Sequence, residues 1–128
     1  MDVASWQTQL RKGAAELVVL SLLRSGEHYG LEILEHAGGN GGVLSDGTLY
    51  PLLTRLERDQ KIVARWVMAP DAKIPRKYYR LSKEGEAMAA EMQCIWQEFS
   101  AFVSHAIEEN GDAGSALSRG RTIPAAAR

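Results

Sequence analysis

The order in which helical and strand-like apolar patterns follow one another constrains the fold of this chain most. From residue 6 to residue 23, apolar side chains recur every three or four positions, which is typical of a helix with one broad buried face. A shorter helical pattern covers residues 29–37 and must end at the glycine-rich residues 38–42, which we expect to be mobile. A third helix begins near Ser45 or Asp46, since either side chain can cap a first turn.

The pattern changes from helix to strand after the third helix. Residues 62–69 are rich in valine, isoleucine and tryptophan, and residues 76–81 carry paired tyrosines. Residues 70–75 contain two prolines and lie between these segments as a turn. The segments therefore predict a two-stranded hairpin. If Leu81 faces the core, Tyr79 faces it too, and alternation places the side chains of Arg76, Tyr78 and Arg80 on the opposite face.

The third helix has one apolar side and one polar or small side. Four leucines form the apolar stripe: Leu49, Leu52, Leu53 and Leu56. Gly47, Pro51, Thr54 and Arg58 lie on the opposite side at 100° per residue. Because Pro51 falls just past the first turn, the helix either opens loosely or starts its regular hydrogen bonding nearer Thr48.

A long last helix follows, with Ser82 as its predicted cap. Its apolar positions repeat with alternating steps of four and three, the spacing of a coiled-coil seam: Met88, Met92, Ile95, Phe99, Phe102 and Ala106. A single helix cannot cover such a stripe. We therefore predict a domain over residues 1–82, a dimerisation helix over residues 83–110, and a disordered tail over residues 111–128.

Composition narrows the class of protein. The chain has 128 residues, of which 45% are hydrophobic, so a wholly disordered chain is excluded. No stretch is apolar enough to span a membrane and the start has no signal-peptide pattern, so we expect a cytoplasmic protein without a membrane partner. One cysteine excludes an internal disulfide and a thiolate zinc cage.

Charge is distributed unevenly along the chain. The net charge is -1, but residues 43–83 hold nine basic and four acidic side chains, whereas residues 84–112 hold seven acidic side chains and no lysine or arginine. A basic segment next to an acidic helix indicates an anionic partner for the first and repulsion of that partner by the second. Two ordinary solvated faces would give the same count.

The chain has the element order of a winged helix-turn-helix: two helices, a third helix with a polar face, and a basic hairpin. In that fold the third helix enters the major groove of DNA. The fold class is thus mainly α with a small β-hairpin. Residues of the third helix and the hairpin are the predicted DNA contacts: Ser45, Gly47, Thr48, Tyr50, Thr54, Arg55, Arg58, Arg76, Lys77 and Arg80. Some winged domains bind proteins instead, and Arg55 and Lys77 have alternative interpretations, as a member of an intrachain ion pair and as a side chain lying along apolar surface.

Residues 47–57 (GTLYPLLTRLE) closely resemble the signature of the PadR family of transcriptional regulators, as do residues 29–33 (YGLEI) and residues 76–82 (RKYYRLS) with Gly85. The resemblance covers residues 10 to about 107. It implies a dimeric winged-helix repressor of the short type, whose first and last helices form the dimer and whose DNA is released by an effector. If the dimer forms, its two recognition helices should sit about 34 Å apart, which predicts a palindromic operator. On this basis the dimer contacts are Leu10, Leu17, Met88, Met92, Ile95, Phe99 and Phe102.

Trp96 resembles the tryptophan that some short-type, drug-responsive members pair across the two-fold axis to stack flat aromatic ligands. Trp6, Met92 and Phe99 complete the predicted effector site, and the acidic helix favours a cationic or neutral planar molecule. The alternative is that Trp96 is part of the dimer core.

Little in the sequence indicates an enzyme. The three histidines are far apart and show no metal-ligand spacing, and neither a phosphate loop nor a nucleophile elbow is present. We therefore predict no catalytic residues, no metal and no cofactor. An aromatic-ligand sensor, or a protein-binding winged module without operator binding, is the alternative function.

Overall fold

A computed structural model of the chain describes residues 2–38 and 42–111. The predicted mobility of the glycine-rich linker and the predicted disorder of the tail therefore fall mainly on residues outside this range. The chain divides into two compact units, Met1–Ala90 and Glu91–Arg128. No helix in the described part is both long and apolar enough to cross a membrane.

Four helices and three strands make up the described chain. The helices are α1 (Val3–Leu23), α2 (Gly30–Ala37), α3 (Asp46–Arg58) and α4 (Lys83–Ala106), and a π-helical turn at Ile107–Gly111 follows the last of them. The strands are β1 (His28–Tyr29), β2 (Ile62–Val67) and β3 (Arg76–Leu81). This is the mainly helical fold with a small sheet that the sequence predicts.

The sheet has three antiparallel strands in the order β1-β3-β2, so the predicted two-stranded hairpin was incomplete. β1 has only two residues, too few for any alternation to reveal it. β2 ends at Val67 rather than at residue 69. Val67 pairs with Arg76, and the next partner along the second strand would be Pro75, which has no amide to continue the ladder.

The core of the first unit lies between the helices and one face of the sheet. All four predicted leucines of α3 are buried, at 0 to 6% exposure, together with Val19 and Leu20 of α1 and Ile33 of α2. Tyr79 is confirmed as a core residue at 8% exposure. Its burial raises the pKa of the Tyr79 hydroxyl above its ordinary value.

α3 begins at Asp46, with Ser45 as its N-cap. The Ser45 carbonyl accepts from the amides of Thr48 and Leu49 at 3.1 and 2.8 Å, so hydrogen bonding starts in the first turn and not nearer Thr48. Pro51 removes one amide, which leaves the Gly47 carbonyl without its usual donor four residues on. The helix therefore tolerates the proline at the loss of one hydrogen bond.

The start of α4 is fastened to the end of α3. Ser82 is confirmed as the cap, since its hydroxyl accepts from the Gly85 amide at 3.0 Å and also donates to the Gln60 carbonyl at 2.6 Å. The Ser82 amide donates to the Lys61 carbonyl at 3.0 Å. Gly85 lies so close to this carbonyl that a Cβ there would overlap it. The turn after α3 and the first turn of α4 thus form one joint.

Candidate nucleic-acid interface

The face of α3 that points away from the core is exposed and carries small or polar groups. Gly47, Pro51, Thr54 and Arg58 are all exposed. The Thr54 hydroxyl donates to the Tyr50 carbonyl at 3.0 Å, which orients its methyl group and its lone pairs. A Cβ at Gly47 would meet only the Ser45 hydroxyl, at 4.0 Å. Another molecule can therefore approach the backbone closely at the start of this face.

Tyr50 is positioned by Gly30, the first residue of α2. A Cβ at Gly30 would lie 2.8 Å from Cε1 and 2.9 Å from the hydroxyl oxygen of Tyr50, so the ring occupies the space that a side chain would need. Tyr50 nevertheless stays 45% exposed. The glycine in the YGLEI segment thus permits a close approach that holds the tyrosine at the edge of the outer face of α3.

We expect Gly30→Ala to displace the Tyr50 ring while leaving the fold intact. Only the far end of a half-exposed side chain must move, so the loss of unfolding free energy should stay near 1 kcal/mol. Thermal melting and tyrosine accessibility to iodination measure the two effects separately. A large loss of stability without a change at Tyr50 would contradict this prediction.

Two predicted DNA contacts on α3 are held by carboxylates. The Arg55 guanidinium donates to Glu16 of α1 at 2.7 Å, and Arg58 donates to its neighbour Asp59 at 3.1 Å. Both arginines remain about half exposed or more, with side chains 49% and 69% exposed. Intrachain pairing of Arg55 is therefore confirmed, and the pair fixes the direction of its guanidinium.

Lys77 on β3 also has a carboxylate partner. Its ammonium donates to Glu57 of α3 at 3.0 Å, and lies 5.8 Å from the Trp66 ring centre and 5.5 Å from that of Tyr79. The hydrogen bond to Glu57 raises the pKa of Lys77 above its ordinary value. The side chain thus lies along the inner face of the hairpin, and a phosphate contact by Lys77 stays a prediction.

The outer face of the hairpin carries the less constrained cations. Arg76 and Arg80 are exposed, and within the described ranges neither forms an ion pair. The Arg76 guanidinium lies 4.8 Å above the ring centre of Tyr29, a cation–π contact. Arg65 on the same face is held by Glu27 through two 2.7 Å hydrogen bonds, which lower the pKa of Glu27. Among the cations on the two strands of the hairpin, Arg76 and Arg80 are accordingly the most available to an anion.

The predicted dimer and effector residues lie on α4 and on α1. Along α4 the large apolar side chains are exposed in the single chain: Ile95, Trp96, Phe99, Phe102 and Val103, followed by Ile107 in the turn. Met88 and Met92 are half-buried, as is Leu17 of α1, whereas Trp6 and Leu10 are exposed.

Sequence reasoning missed the acidic partners. Glu16 and Glu27 both come from the segment before residue 43, and their charges act on the basic segment only because the fold brings them there. Counting charge by segment therefore overstates the free positive charge of the third helix and hairpin. The YGLEI motif stands out in the sequence, but no local signal connects its glycine to Tyr50.

Comparison with known proteins agrees with this geometry. The profile of the transcriptional regulator PadR-like family matches residues 19–91, which include α2, α3, the sheet and the start of α4. The chain belongs to this family. It is therefore a DNA-binding transcriptional regulator of a family whose members are generally not enzymes.

Solved structures of bacterial transcription regulators, two of them described as PadR-like or PadR family, share the fold. A PadR family transcriptional regulator from Eggerthella lenta is 32% identical, with a TM-score of 0.72 over 84% of this chain and 94% of its own. A transcriptional regulator from Streptococcus is 36% identical, with a TM-score of 0.67 over 77% and 96%. A PadR-like transcription factor from Bacteroides fragilis is 34% identical, with a TM-score of 0.63 over 80% and 98%. This PadR-like chain thus resembles them over almost their whole length.

Proposed function

We propose that this PadR-like protein is a homodimeric repressor that binds a palindromic operator and is released by a planar aromatic effector. The observation that carries the DNA-binding part is the outer face of α3, which is small and polar and has an accessible backbone. Beside it lies a hairpin whose outward Arg76 and Arg80 have no ion-pair partner in the described chain. A helix with such a face fits the major groove, and free arginines contact phosphates.

Residues of α3 divide between two roles in this proposal. Tyr50 and Thr54 reach base edges or phosphates from the exposed face, with Arg58 beside them. Ser45, Gly47 and Thr48 lie at the start of the helix, where another molecule can approach the protein backbone without hindrance.

The cations contact the phosphate backbone of the DNA in this proposal. Arg76 and Arg80 do so from the hairpin, and the ion pair with Glu16 directs the guanidinium of Arg55. Lys77 reaches a phosphate only by leaving Glu57.

The apolar stripe of α4 supports the homodimer. Ile95, Phe99 and Phe102 are each more than half exposed in the single chain, in heptad register. A contiguous patch of this kind marks an interface, and an identical stripe is the natural partner for a coiled-coil seam. In such a dimer the two α3 helices are related by two-fold symmetry, so the operator is a palindrome. Simultaneous binding in successive major grooves requires half-sites about 34 Å apart, one turn of DNA.

The exposure of Trp96 supports a binding site for an aromatic effector. It is 44% exposed beside the stripe, and Glu91 and Glu98 lie on the same exposed helix. An accessible indole on a helix of net negative charge suits a flat, neutral or cationic aromatic molecule. Phe99, Met92 and Trp6 are the other apolar groups assigned to this site. Binding there would alter the dimer and so the spacing of the two α3 helices.

Fluorescence anisotropy with the DNA upstream of the protein's own gene tests the proposal. We expect tighter binding than to a scrambled duplex of equal length, and an affinity that falls steeply as salt rises, because phosphate contacts release counterions. Equal, weak binding to both duplexes, repeated with duplexes selected from a random pool, would contradict operator recognition. It would favour a protein-binding winged module or an aromatic-ligand sensor.

We expect Trp96→Ala to weaken planar-ligand binding more than it weakens the dimer. The indole offers a stacking surface that alanine lacks, whereas the seam keeps its other apolar side chains. A titration with a cationic planar dye measures ligand binding, and sedimentation equilibrium measures the dimer. An unchanged dye titration would show that Trp96 only packs.

A further inference from the structure

A recess of about 280 Å³ lies between α1 and the start of α3. Its walls come from one face of α1, with Thr8, Arg11 and Lys12, and from the segment that leads into α3, with Leu44, Ser45 and Thr48. No acidic side chain lines it, while two basic side chains do. The recess is therefore a positively charged, partly apolar pocket with three hydroxyl groups.

Arg11 and Lys12 differ from the cations of α3 in having no carboxylate partner among residues 2–38 and 42–111. A second recess, of about 400 Å³, continues along the same side of α3 and shares Lys12 and Thr48 with the first. There the nearby Arg55 is held by Glu16. Free positive charge on this side of α3 thus comes from α1.

The helical positions on α3 show on which flank of this helix the two cations lie. Thr48 and Arg55 lie on the flank that faces α1, as their places in the second recess and the Glu16 pair show. Glu57 is turned by 200° from Arg55 at 100° per residue, and it pairs with Lys77 of the hairpin. The exposed ridge of α3 therefore lies between α1 on one flank and the hairpin on the other.

The major groove of DNA is bounded by a phosphate backbone on each side and is about 12 Å wide, enough for one helix. A helix seated in it has one backbone on each flank. We propose that Arg11 and Lys12 bind the phosphate backbone on the flank of α3 opposite the hairpin, with the Thr48 and Ser45 hydroxyls lining the same pocket. The two flanks of the recognition helix then hold two different strands, one through α1 and one through Arg76 and Arg80.

This inference rests on the proposed DNA-binding function and adds a second anchoring surface to it. The sequence assigned no role to these two residues, since they belong to a segment with a net negative charge. Glu16 lies at the same surface but does not repel a phosphate, because Arg55 neutralises its carboxylate.

The test compares Arg11→Gln, Lys12→Gln and the double variant with Arg24→Gln as a charge-matched control. Arg24 lies at the other end of α1, roughly 20 Å away along the helix axis. The probe is a duplex selected from a random pool by the wild-type protein, titrated by anisotropy at several salt concentrations. Circular dichroism confirms that each variant is folded.

We expect each substitution at Arg11 or Lys12 to weaken binding about fivefold per lost contact near 0.15 M salt, and to reduce the slope of log K against log salt by about 1. Base preference, read by repeating the selection with each variant, should be unchanged, because phosphate contacts carry no sequence information. Arg24→Gln should leave the slope as in the wild type.

Two failures are distinguishable in this experiment. If the wild type selects a duplex and the Arg11 and Lys12 variants bind it with the wild-type slope, the α1 anchor is wrong while the DNA-binding function stands. If the wild type selects no duplex, the proposed function fails and the anchor fails with it. A loss of slope equal to that of Arg24→Gln would also overturn the anchor, since it would reflect net charge alone.

Discussion

Replacing Gly85 with alanine is expected to destabilise the first unit by about 3 kcal/mol, the upper part of the range for an overpacked site. A Cβ at this position would overlap the carbonyl oxygen of Lys61 and lie 2.9 Å from its carbonyl carbon. Both atoms belong to backbone, which cannot move aside as a side-chain tip can. The same carbonyl accepts from the Ser82 amide, so the substitution strains the whole joint between α3 and α4.

Chemical denaturation measures this loss, with Gly13→Ala as the matched control. Gly13 lies inside α1, and apart from its chain neighbours and the backbone of its own helix no atom lies within 4 Å of the place where its Cβ would be. Alanine there should raise the unfolding free energy by about 0.5 to 1 kcal/mol, because a glycine within a helix loses more backbone freedom on folding. Two glycine-to-alanine changes in one protein should thus shift stability in opposite directions. A Gly85 variant as stable as the wild type would mean that the joint is not tight.

Phe102→Glu is expected to convert the homodimer into monomers and to weaken operator binding by about 100-fold or more. Phe102 is 69% exposed in the single chain, so a glutamate there does not disturb the packing of that chain. In the proposed seam, each glutamate carboxylate would be buried against the apolar stripe of the partner helix, which carries no lysine or arginine after Lys83. Each monomer then binds a single half-site, so the gain in affinity from binding both half-sites at once is lost.

Sedimentation velocity gives the oligomeric state and anisotropy gives the affinity for the selected duplex. The control is Gln97→Glu, which adds the same charge to the same helix at an exposed position turned by 140° from Phe102. We expect that variant to remain a dimer and to bind DNA almost as tightly as the wild type. A Phe102→Glu protein that stayed dimeric would exclude this stripe as the interface.

The fold was predictable where short-range periodicity carried the information. The leucine stripe of α3 needs only the spacing of its four apolar residues, and burial of that stripe follows for any compact arrangement. Ser82 as a cap and Tyr79 as a core residue follow in the same way from local position and alternation. The order of the helices and the hairpin predicted the winged arrangement, the family resemblance agreed with it, and the profile over residues 19–91 supports it.

Elements fixed by a partner far along the chain were not predictable. β1 is a strand only because β3 offers His28 and Tyr29 a pairing edge, and β2 stops where its next partner would be Pro75. The site shows the same division. The polar face of α3 was read from the sequence, but the fit of Tyr50 against Gly30 depends on how α2 and α3 pack.

The sequence by itself determined which residue types face outward on α3 and on the hairpin, because helical and strand periods sort side chains by face without reference to the rest of the chain. Only the tertiary structure decided which of those cations are free. Glu16 and Glu27 lie 39 and 38 positions from the arginines that they hold, and Glu57 lies 20 from Lys77. Ion pairs form across space at a few ångströms, so a charge count along the chain cannot separate the paired cations from Arg76, Arg80, Arg11 and Lys12, which the fold leaves open to a polyanion.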